Sequence, residues 1–243
     1  MTVRSRTDGT VVVVTIDRPS RRNAIDQATA DALRVAFSEF EQGEERVAIL
    51  TGAGGSFCAG ADLVSFDLVE DEDGWLGPTR TTLDKPVIAA IEGYAVAGGL
   101  ELALWADLRV AGEGAVFGCF ERRFGVPLVD GGTQRLARII GQGRALDMIL
   151  TGRPVTGREA QEIGLVNRLV PDGQAVESAL ELAHLIAASP QETMLSDRRA
   201  LYEGMGLDLA AGLKGEAERG RQVLEVARRG AARFAAGEGR SGS

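Results

Sequence analysis

The fold is decided by residues 85–103, which read KPVIAAIEGYAVAGGLELA. Val87–Ile91 is a continuous apolar run of the kind found in a strand that is buried on both faces. A glycine-rich turn and the apolar run 100–105 follow, and that run contains one carboxylate, Glu101. A carboxylate among apolar residues is costly unless it is used or paired. The stretch therefore predicts a buried strand, a tight turn and a functional acid in sequence.

Two earlier segments repeat the strand pattern. Val11–Ile16 and residues 47–51 are short β-branched runs. Between them, residues 26–40 place apolar side chains at three- and four-residue spacing behind Asp26, which predicts an amphipathic helix with Asp26 as its cap. Strand, helix and strand in alternation favour parallel pairing, so we expect an α/β core.

The pattern becomes mainly helical after residue 131, in segments 135–140, 145–150, 158–163 and 175–188. Ser189-Pro190 marks a boundary, because proline suits the first turn of a helix. We therefore divide the chain into residues 1–189, the core with the site, and residues 190–243, a C-terminal helical region. That region is predicted to contain a long charged helix over 207–234 and a frayed tail over 237–243.

Composition excludes several classes of protein. With 44% hydrophobic residues the 243-residue chain can bury a large core, and its net charge of −8 makes nucleic acid a poor partner. One histidine and two cysteines, Cys58 and Cys119, offer no metal-ligand spacing and no disulfide framework, so we expect no metal and a reducing cytoplasm. No apolar stretch approaches the ~20 residues that span a bilayer, so no membrane is expected.

Glycine-rich turns at 52–55, 59–62 and 97–99 are the most prominent feature of the sequence. They lack the G-x-G-x-x-G order of a dinucleotide site. Two such turns can instead present backbone N–H groups near Ala61 and Gly98, which together would form an oxyanion hole. Tight packing without function is the alternative at this point. A second carboxylate, Glu121, follows the apolar run 115–120, and its alternative is a surface ion pair with the neighbouring Arg122 and Arg123.

Six segments in order resemble the enoyl-CoA hydratase/isomerase (crotonase) superfamily, and together they span nearly the whole chain. The resemblance implies a crotonase (ClpP-like) α/β fold, which is a spiral core of β-β-α turns with a C-terminal helical trimerisation region. It also implies a homotrimer or a dimer of trimers. The segments are RPSRRNA (18–24), GSFCAGADL (55–63), residues 85–103, GGTQRL (131–136), LTG (150–152) and AQEIGLV (160–166).

The resemblance also implies an acyl-CoA thioester substrate and a set of site residues. Ala61 N–H and Gly98 N–H match the pair that binds the thioester oxygen. Glu101 and Glu121 match the two catalytic glutamates, the first activating water and the second exchanging the α-proton. Residues that match the coenzyme A side are Ala24, Ala59, Ala61, Asp62, Leu63 and Gly98.

Two glutamates favour hydration of a 2-enoyl-CoA, as in fatty acid metabolism, without metal or redox cofactor, since coenzyme A is part of the substrate. The alternatives are an enoyl-CoA isomerase that uses one glutamate, another crotonase-fold reaction, or a non-catalytic acyl-CoA binder. In the last case Arg122 and Arg123 would disable Glu121, because a nearby guanidinium is expected to lower its pKa.

The remaining polar residues receive simpler interpretations. Asp130 is expected to cap the following helix, with an extra acid as the alternative. Residues 70–77 form either a loop over the acyl tunnel or a plain surface loop. Arg21 and Arg22 either contact coenzyme A phosphates or are solvated. Cys58 is interpreted as a small buried apolar residue, and His184 as an ordinary helix residue.

Overall fold

The structure is a computed structural model that describes residues 1–238. The predicted frayed tail lies mostly outside the described residues, which end one residue after Gly237. Two compact units divide the chain, one of Met1–His184 and one from Leu185 onward. The domain boundary that we place at 189/190 stays a prediction. Within residues 1–238 no helix is both long enough and apolar enough to cross a membrane.

The first unit is built on a six-stranded sheet of order β1-β2-β3-β4-β6-β9 and a three-stranded sheet of order β5-β7-β8. In the larger sheet every neighbouring pair is parallel except β1 and β2, which are antiparallel. The expectation of a parallel α/β core is therefore confirmed. The strands are β1 Val3–Asp8, β2 Val11–Ile16, β3 Val47–Gly52, β4 Val87–Ile91, β5 Tyr94–Val96, β6 Leu108–Gly112, β7 Val116–Gly118, β8 Val155–Thr156 and β9 Arg168–Val170.

The helices follow the predicted segments closely up to residue 188. The first begins after Asp26, whose side chain accepts a hydrogen bond from Thr29 N, so the predicted cap is confirmed. The helices of the described chain are α1 Gln27–Gln42, α2 Gly98–Trp105, α3 Gly132–Ile140, α4 Gln142–Thr151, α5 Gly157–Glu162, α6 Ala175–Ala188, α7 Gln191–Gly204, α8 Leu209–Gln222 and α9 Leu224–Ala235.

The predicted single helix over 207–234 is wrong. Helices α8 and α9 meet at Val223, whose φ of −107° and ψ of 11° are not helical. A further helix, α7, precedes them and begins directly after Pro190, at the boundary where a first helical turn was expected. Valine has a lower helix propensity than most of its neighbours in this segment, because its χ1 rotamers are restricted in a helix.

The small sheet brings distant segments to one place. Strands β5 and β7 are parallel and pair Val96 with Gly118, so the turns that follow them lie side by side. An isolated parallel bridge of Cys58 with Ala95 attaches the glycine-rich turn 59–62 to the same edge, and a second bridge, Ile25 with Ala61, joins that turn to the segment before α1. The pairing therefore gathers the turns at 59–62, 97–99 and 119–121, which carry the predicted site residues.

Candidate active site

A cavity of about 280 Å³ opens where these turns meet. Its wall is almost entirely apolar, and the acidic side chains in it are Glu101, Glu121 and Asp130. An apolar cavity with a few convergent polar groups is the usual form of a small-molecule site. The other lining residues are Ala59, Ala61, Leu63, Phe66, Leu68, Trp75, Leu76, Ala97, Gly98, Phe120, Phe124, Val126, Pro127 and Val129.

The backbone amides of Ala61 and Gly98 lie on the cavity wall, and neither has an acceptor within the described chain. Their turns are in direct contact. Gly60 has a φ of +92°, and a β-carbon there would lie 2.8 Å from Gly98 N, so only glycine allows this approach. Ala97 has a φ of +53°, which is strained for a residue with a side chain. Strain of this kind gathers at functional sites, and two unpaired N–H groups fit an oxyanion hole.

Glu101 lies in the first turn of α2 with only 2% of its surface exposed. Its Oε1 accepts hydrogen bonds from Asp130 N and Gly132 N, both at 2.8 Å, while no donor within the described chain binds Oε2. Burial, opposed by these two N–H groups and helped by the charges of Asp130 and Glu121, raises the pKa of Glu101 to about 7. Glu101 is thus an oriented carboxylate with the pKa of an effective base at neutral pH.

Glu121 lies in a 3-10 turn, Phe120–Phe124, and is 5% exposed, so it is not a surface residue. Neither carboxylate oxygen has a hydrogen-bond partner in the described chain. Burial raises the pKa of Glu121, although its own backbone N–H and the Arg122 guanidinium, 3.9 Å from Oε1, act in the opposite direction. Arg122 does act to lower this pKa, as expected, but desolvation outweighs its half-exposed guanidinium, so the pKa is raised overall. Arg123 stacks on the Phe120 ring instead, with a distance of 4.1 Å from Cζ to the centroid.

The structure contradicts the prediction that Asp130 caps a helix. The N-cap of α3 is Gly131, and no side chain caps this helix. The Asp130 carboxylate is fully buried and accepts hydrogen bonds from Trp75 N, Leu76 N and Thr79 Oγ1. Residues 75 and 76 line the cavity, so the loop that sequence analysis placed either over the acyl tunnel or on the surface contributes to the cavity wall.

The residues matched to the coenzyme A side divide into two groups. Ala59, Leu63 and the two oxyanion candidates line the cavity, but Ala24 and Asp62 do not. Asp62 is 5% exposed and pairs with Arg18 Nη2 at 3.0 Å. Burial acts to raise the pKa of Asp62, but hydrogen bonds from Val64 N and Arg18 outweigh it and the pKa is lowered. Its carboxylate therefore serves mainly to fix the turn.

Other candidates lie outside the reacting region. Burial raises the pKa values of both Cys58 and Cys119 to about 12, so neither thiol is a nucleophile at neutral pH. His184 is 45% exposed, and its Nε2 lies 3.4 Å from Asp8. Arg21 and Arg22 are exposed, and the Arg22 guanidinium lies over the Tyr94 ring.

Three phenylalanines on the cavity wall were not predicted from the sequence: Phe66, Phe120 and Phe124. Phe66 and Phe124 are 61% and 70% exposed, which is unusual for such large apolar side chains. The available signal was the presence of aromatic residues within otherwise polar turns, a pattern that also fits ordinary packing.

The fold and the cavity are those of an α/β enzyme in which backbone amides and carboxylates share one apolar pocket. The family model for enoyl-CoA hydratase/isomerase matches residues 6–236. The chain belongs to the enoyl-CoA hydratase/isomerase family and has the crotonase fold.

Individual relatives agree with this placement. Enoyl-CoA hydratase EchA19 of Mycobacterium tuberculosis is 40% identical over 207 residues, covering 80% of this chain and 78% of the relative. The short-chain-enoyl-CoA hydratase of Clostridium acetobutylicum is 37% identical over 221 residues, covering 87% and 85%. The crystal structure of enoyl-CoA hydratase EchA1 from Mycobacterium marinum superposes with a TM-score of 0.92 at 35% identity, covering 96% of this chain and 95% of that one.

Proposed function

We propose that the protein adds water across the double bond of a 2-enoyl-CoA thioester to give a 3-hydroxyacyl-CoA. The observation that carries this proposal is the presence of two buried carboxylates, Glu101 and Glu121, in one apolar cavity beside the unpaired amides of Ala61 and Gly98. Hydration needs a base, an acid and a site for enolate oxygen, and these groups can supply all three.

Each group has a defined place in the proposed reaction. Glu101 accepts a proton from water as the water oxygen bonds to the β-carbon, and the π electrons move to the thioester oxygen. The amides of Ala61 and Gly98 stabilise that oxygen as it becomes negative. Glu121 then delivers a proton to the α-carbon, and the proton held by Glu101 returns to Glu121 to restore the starting state. The scheme uses only protein groups and water, so we propose that no metal or redox cofactor takes part.

The states of the two carboxyl groups support this assignment. Because two backbone amides hold Oε1 of Glu101, the direction of Oε2 is fixed as well. A fixed oxygen suits a base that must hold one water molecule in place. Glu121 has a raised pKa and receives no hydrogen bond from another described residue, which favours its protonated form and suits a proton donor.

The proposal is tested by following the loss of conjugated enoyl-thioester absorbance with short- and medium-chain 2-enoyl-CoAs. We expect Glu101→Gln and Glu121→Gln each to lower kcat by roughly 10² to 10⁴. Mass spectrometry should show the product to be one water heavier than the substrate. Glu92→Gln is the matched control, because Glu92 Oε1 also accepts two backbone amides, from Gly173 and Ala175, outside the cavity.

The result that would overturn the proposal is a wild-type protein that binds saturated acyl-CoA but leaves every 2-enoyl-CoA unchanged. Incubation with 3-enoyl-CoA would then separate the two alternatives, because an isomerase produces conjugated thioester and a binder does not. If Glu121→Gln has no effect while Glu101→Gln is inactive, the two-carboxylate scheme is wrong.

We further propose that the chain assembles into a homotrimer or a dimer of trimers. Helices α7, α8 and α9 bury none of their residues within this chain, and several large apolar side chains on or between them are exposed. An apolar surface of this kind supports an association interface. Light scattering coupled to size-exclusion chromatography tests the proposal, and a monomer of 25.6 kDa would contradict it. A reducing cytoplasm remains the proposed compartment, supported by two free cysteines.

A further inference from the structure

Asp130 makes contacts that the proposed reaction does not require. Its carboxylate has 0% exposure and takes three donors from one short segment, residues 74–79, which we name the cavity wall segment. Oδ1 accepts from Trp75 N at 2.8 Å and Thr79 Oγ1 at 2.7 Å, and Oδ2 accepts from Leu76 N at 3.1 Å. The partners lie more than 50 residues earlier in the chain, so the segment depends on a long-range attachment.

The backbone of the same residue is attached to the candidate base. Asp130 N donates to Glu101 Oε1 at 2.8 Å, and Asp130 O accepts from Arg135 Nη1 at 2.8 Å. Arg135 Nη2 also donates to Thr79 O at 2.6 Å, which closes a ring of contacts between the turn before α3 and the cavity wall segment. One residue thus fixes both the cavity wall segment and one oxygen of Glu101.

The cavity wall segment determines the space beside the oxyanion candidates. Trp75 and Leu76 line the cavity. Leu76 packs directly against Gly98, since a β-carbon at residue 98 would overlap Leu76 Cδ1. A shift of the segment would therefore change the volume next to the Gly98 amide, where the acyl group of a thioester must pack.

We propose that Asp130 is a positioning residue that couples the cavity wall segment to the carboxylate of Glu101. The position of the acyl group, which packs against the cavity wall segment, is then fixed relative to the water molecule that Glu101 holds. The predicted changes in kcat and KM rest on the proposed hydratase function, whereas the predicted changes in hydrogen exchange do not. Asp130 does not act on the substrate itself, because its carboxylate is engaged by three protein donors.

The first test uses Asp130→Asn, which keeps the shape but replaces one acceptor oxygen with an NH₂ group that cannot accept a hydrogen bond. We expect amide hydrogen exchange to rise about tenfold or more in peptides covering 74–79 and 128–133. The acid limb of the kcat profile should move to lower pH, since a negative charge beside Glu101 is lost. The other titratable groups that face Glu101 are Glu121 and Cys119.

The second variant, Thr79→Val, removes one donor from the cavity wall segment and leaves the charge of Asp130 in place. Coupling predicts faster exchange in both peptides, a changed ratio of KM values between short and medium 2-enoyl-CoAs, and a lower kcat. The acid limb should stay where it is. Thr51→Val is the matched control, because Thr51 is a buried threonine whose Oγ1 donates to Ala90 O, away from the cavity. It should keep wild-type exchange in both peptides.

Three results would overturn the coupling. One is faster exchange confined to 74–79 in both variants, which would mean that the cavity wall segment and the Glu101-bound amides move independently. Another is unchanged exchange in both peptides. The third is loss of turnover in Asp130→Asn with wild-type exchange and acyl-CoA binding, which would make Asp130 a group that acts on substrate. A wild-type protein that hydrates no 2-enoyl-CoA would overturn the proposed function. The coupling would still be tested, because hydrogen exchange is measured without turnover.

Discussion

The turn before α3, which binds Glu101, and the turn Phe120–Phe124, which contains Glu121, give a buried carboxyl group different hydrogen-bonding surroundings. Both side chains are at most 5% exposed, and burial is the largest cause of the raised pKa in each. The α3 turn gives Glu101 two backbone N–H donors on one oxygen. The Phe120–Phe124 turn gives Glu121 none, and its nearest cation is the Arg122 guanidinium at 3.9 Å.

One cavity therefore holds two buried carboxyl groups that differ in how they are oriented. Backbone amides belong to rigid elements, so they fix an orientation without changing the charge of the site. A buried carboxyl group without partners is costly and is retained where a ligand completes its hydrogen bonding. The carboxylate of Glu101 is thus oriented before any substrate binds. The carboxyl group of Glu121 lies in the cavity, but no hydrogen bond from another described residue fixes its orientation.

The largest effect on turnover is expected from crowding the carboxylate of Glu101. A β-carbon at Gly132 would lie 3.0 Å from both Cγ and Oε1 of Glu101, so Gly132→Ala shifts that side chain by a few tenths of an ångström. We expect kcat for 2-enoyl-CoA hydration to fall on the order of tenfold, because a misplacement of about 1 Å costs roughly 10²-fold and this shift is smaller. Steady-state kinetics measure it, and KM should change much less than kcat.

Gly143→Ala is the control for this substitution. Gly143 lies in α4, and a β-carbon there meets nothing within 4 Å. The control should keep wild-type kcat and gain up to about 1 kcal/mol in the free energy of unfolding from helix propensity. A Gly132→Ala protein with wild-type kcat would show that the fixed orientation of Glu101 is not needed.

The same two regions show what the sequence could and could not predict. Val11–Ile16, Val87–Ile91 and the Asp26 cap were predictable because each depends on neighbours within a few residues. Strand β1 was missed because one face carries exposed polar residues and only Val3 is buried. Strands β5 and β7 have three residues each, too few for a pattern, yet their pairing assembles the site.

The errors at the site have one physical origin. Asp130 precedes Gly-Gly-Thr and has the local form of a cap, but its partners at 75–79 are distant in sequence. Arg122 adjoins Glu121 in sequence and suggested a lowered pKa, but burial by residues from other elements outweighs it. Local patterns identify which residue types are present, while desolvation depends on the assembled chain.

The raised pKa of Glu101 also predicts that the stability of the protein depends on pH. Burial raises the pKa of Glu101 to about 7 from 4.5, so the folded protein binds a proton more tightly than the unfolded chain. The stabilising effect of protonation is complete below pH 4.5 and is lost as pH rises toward 7. At 1.36 kcal/mol per pH unit, the free energy of unfolding should fall by about 3 kcal/mol across this window because of Glu101.

Urea unfolding at several pH values measures this loss, with Glu101→Gln as the reference. Glutamine keeps an Oε1 for the two amides but cannot ionise, so its stability relative to wild type should grow with pH from 4.5 to 7. Parallel pH curves for the two proteins would contradict the raised pKa.

The smallest effect is expected at Glu121, whose only ion-pair partner within residues 1–238 is Arg122. Removing the guanidinium in Arg122→Gln should raise the pKa of Glu121 further, since its charge favours the ionised carboxylate. The arginine side chain is 42% exposed and therefore well screened. We expect the basic limb of the kcat/KM profile to move up by on the order of a few tenths of a pH unit, with less than about a twofold change at pH 7.

Arg123→Gln is the control, because its guanidinium stacks on Phe120 and forms no ion pair with Glu121 in the described chain. It should leave the basic limb unmoved. A large gain in hydration rate in Arg122→Gln would mean that the arginine holds Glu121 ionised and that the protein is closer to a disabled binder than to an active hydratase. A small shift in the stated direction would instead establish that burial, and not the neighbouring charge, prepares Glu121 as the proton donor.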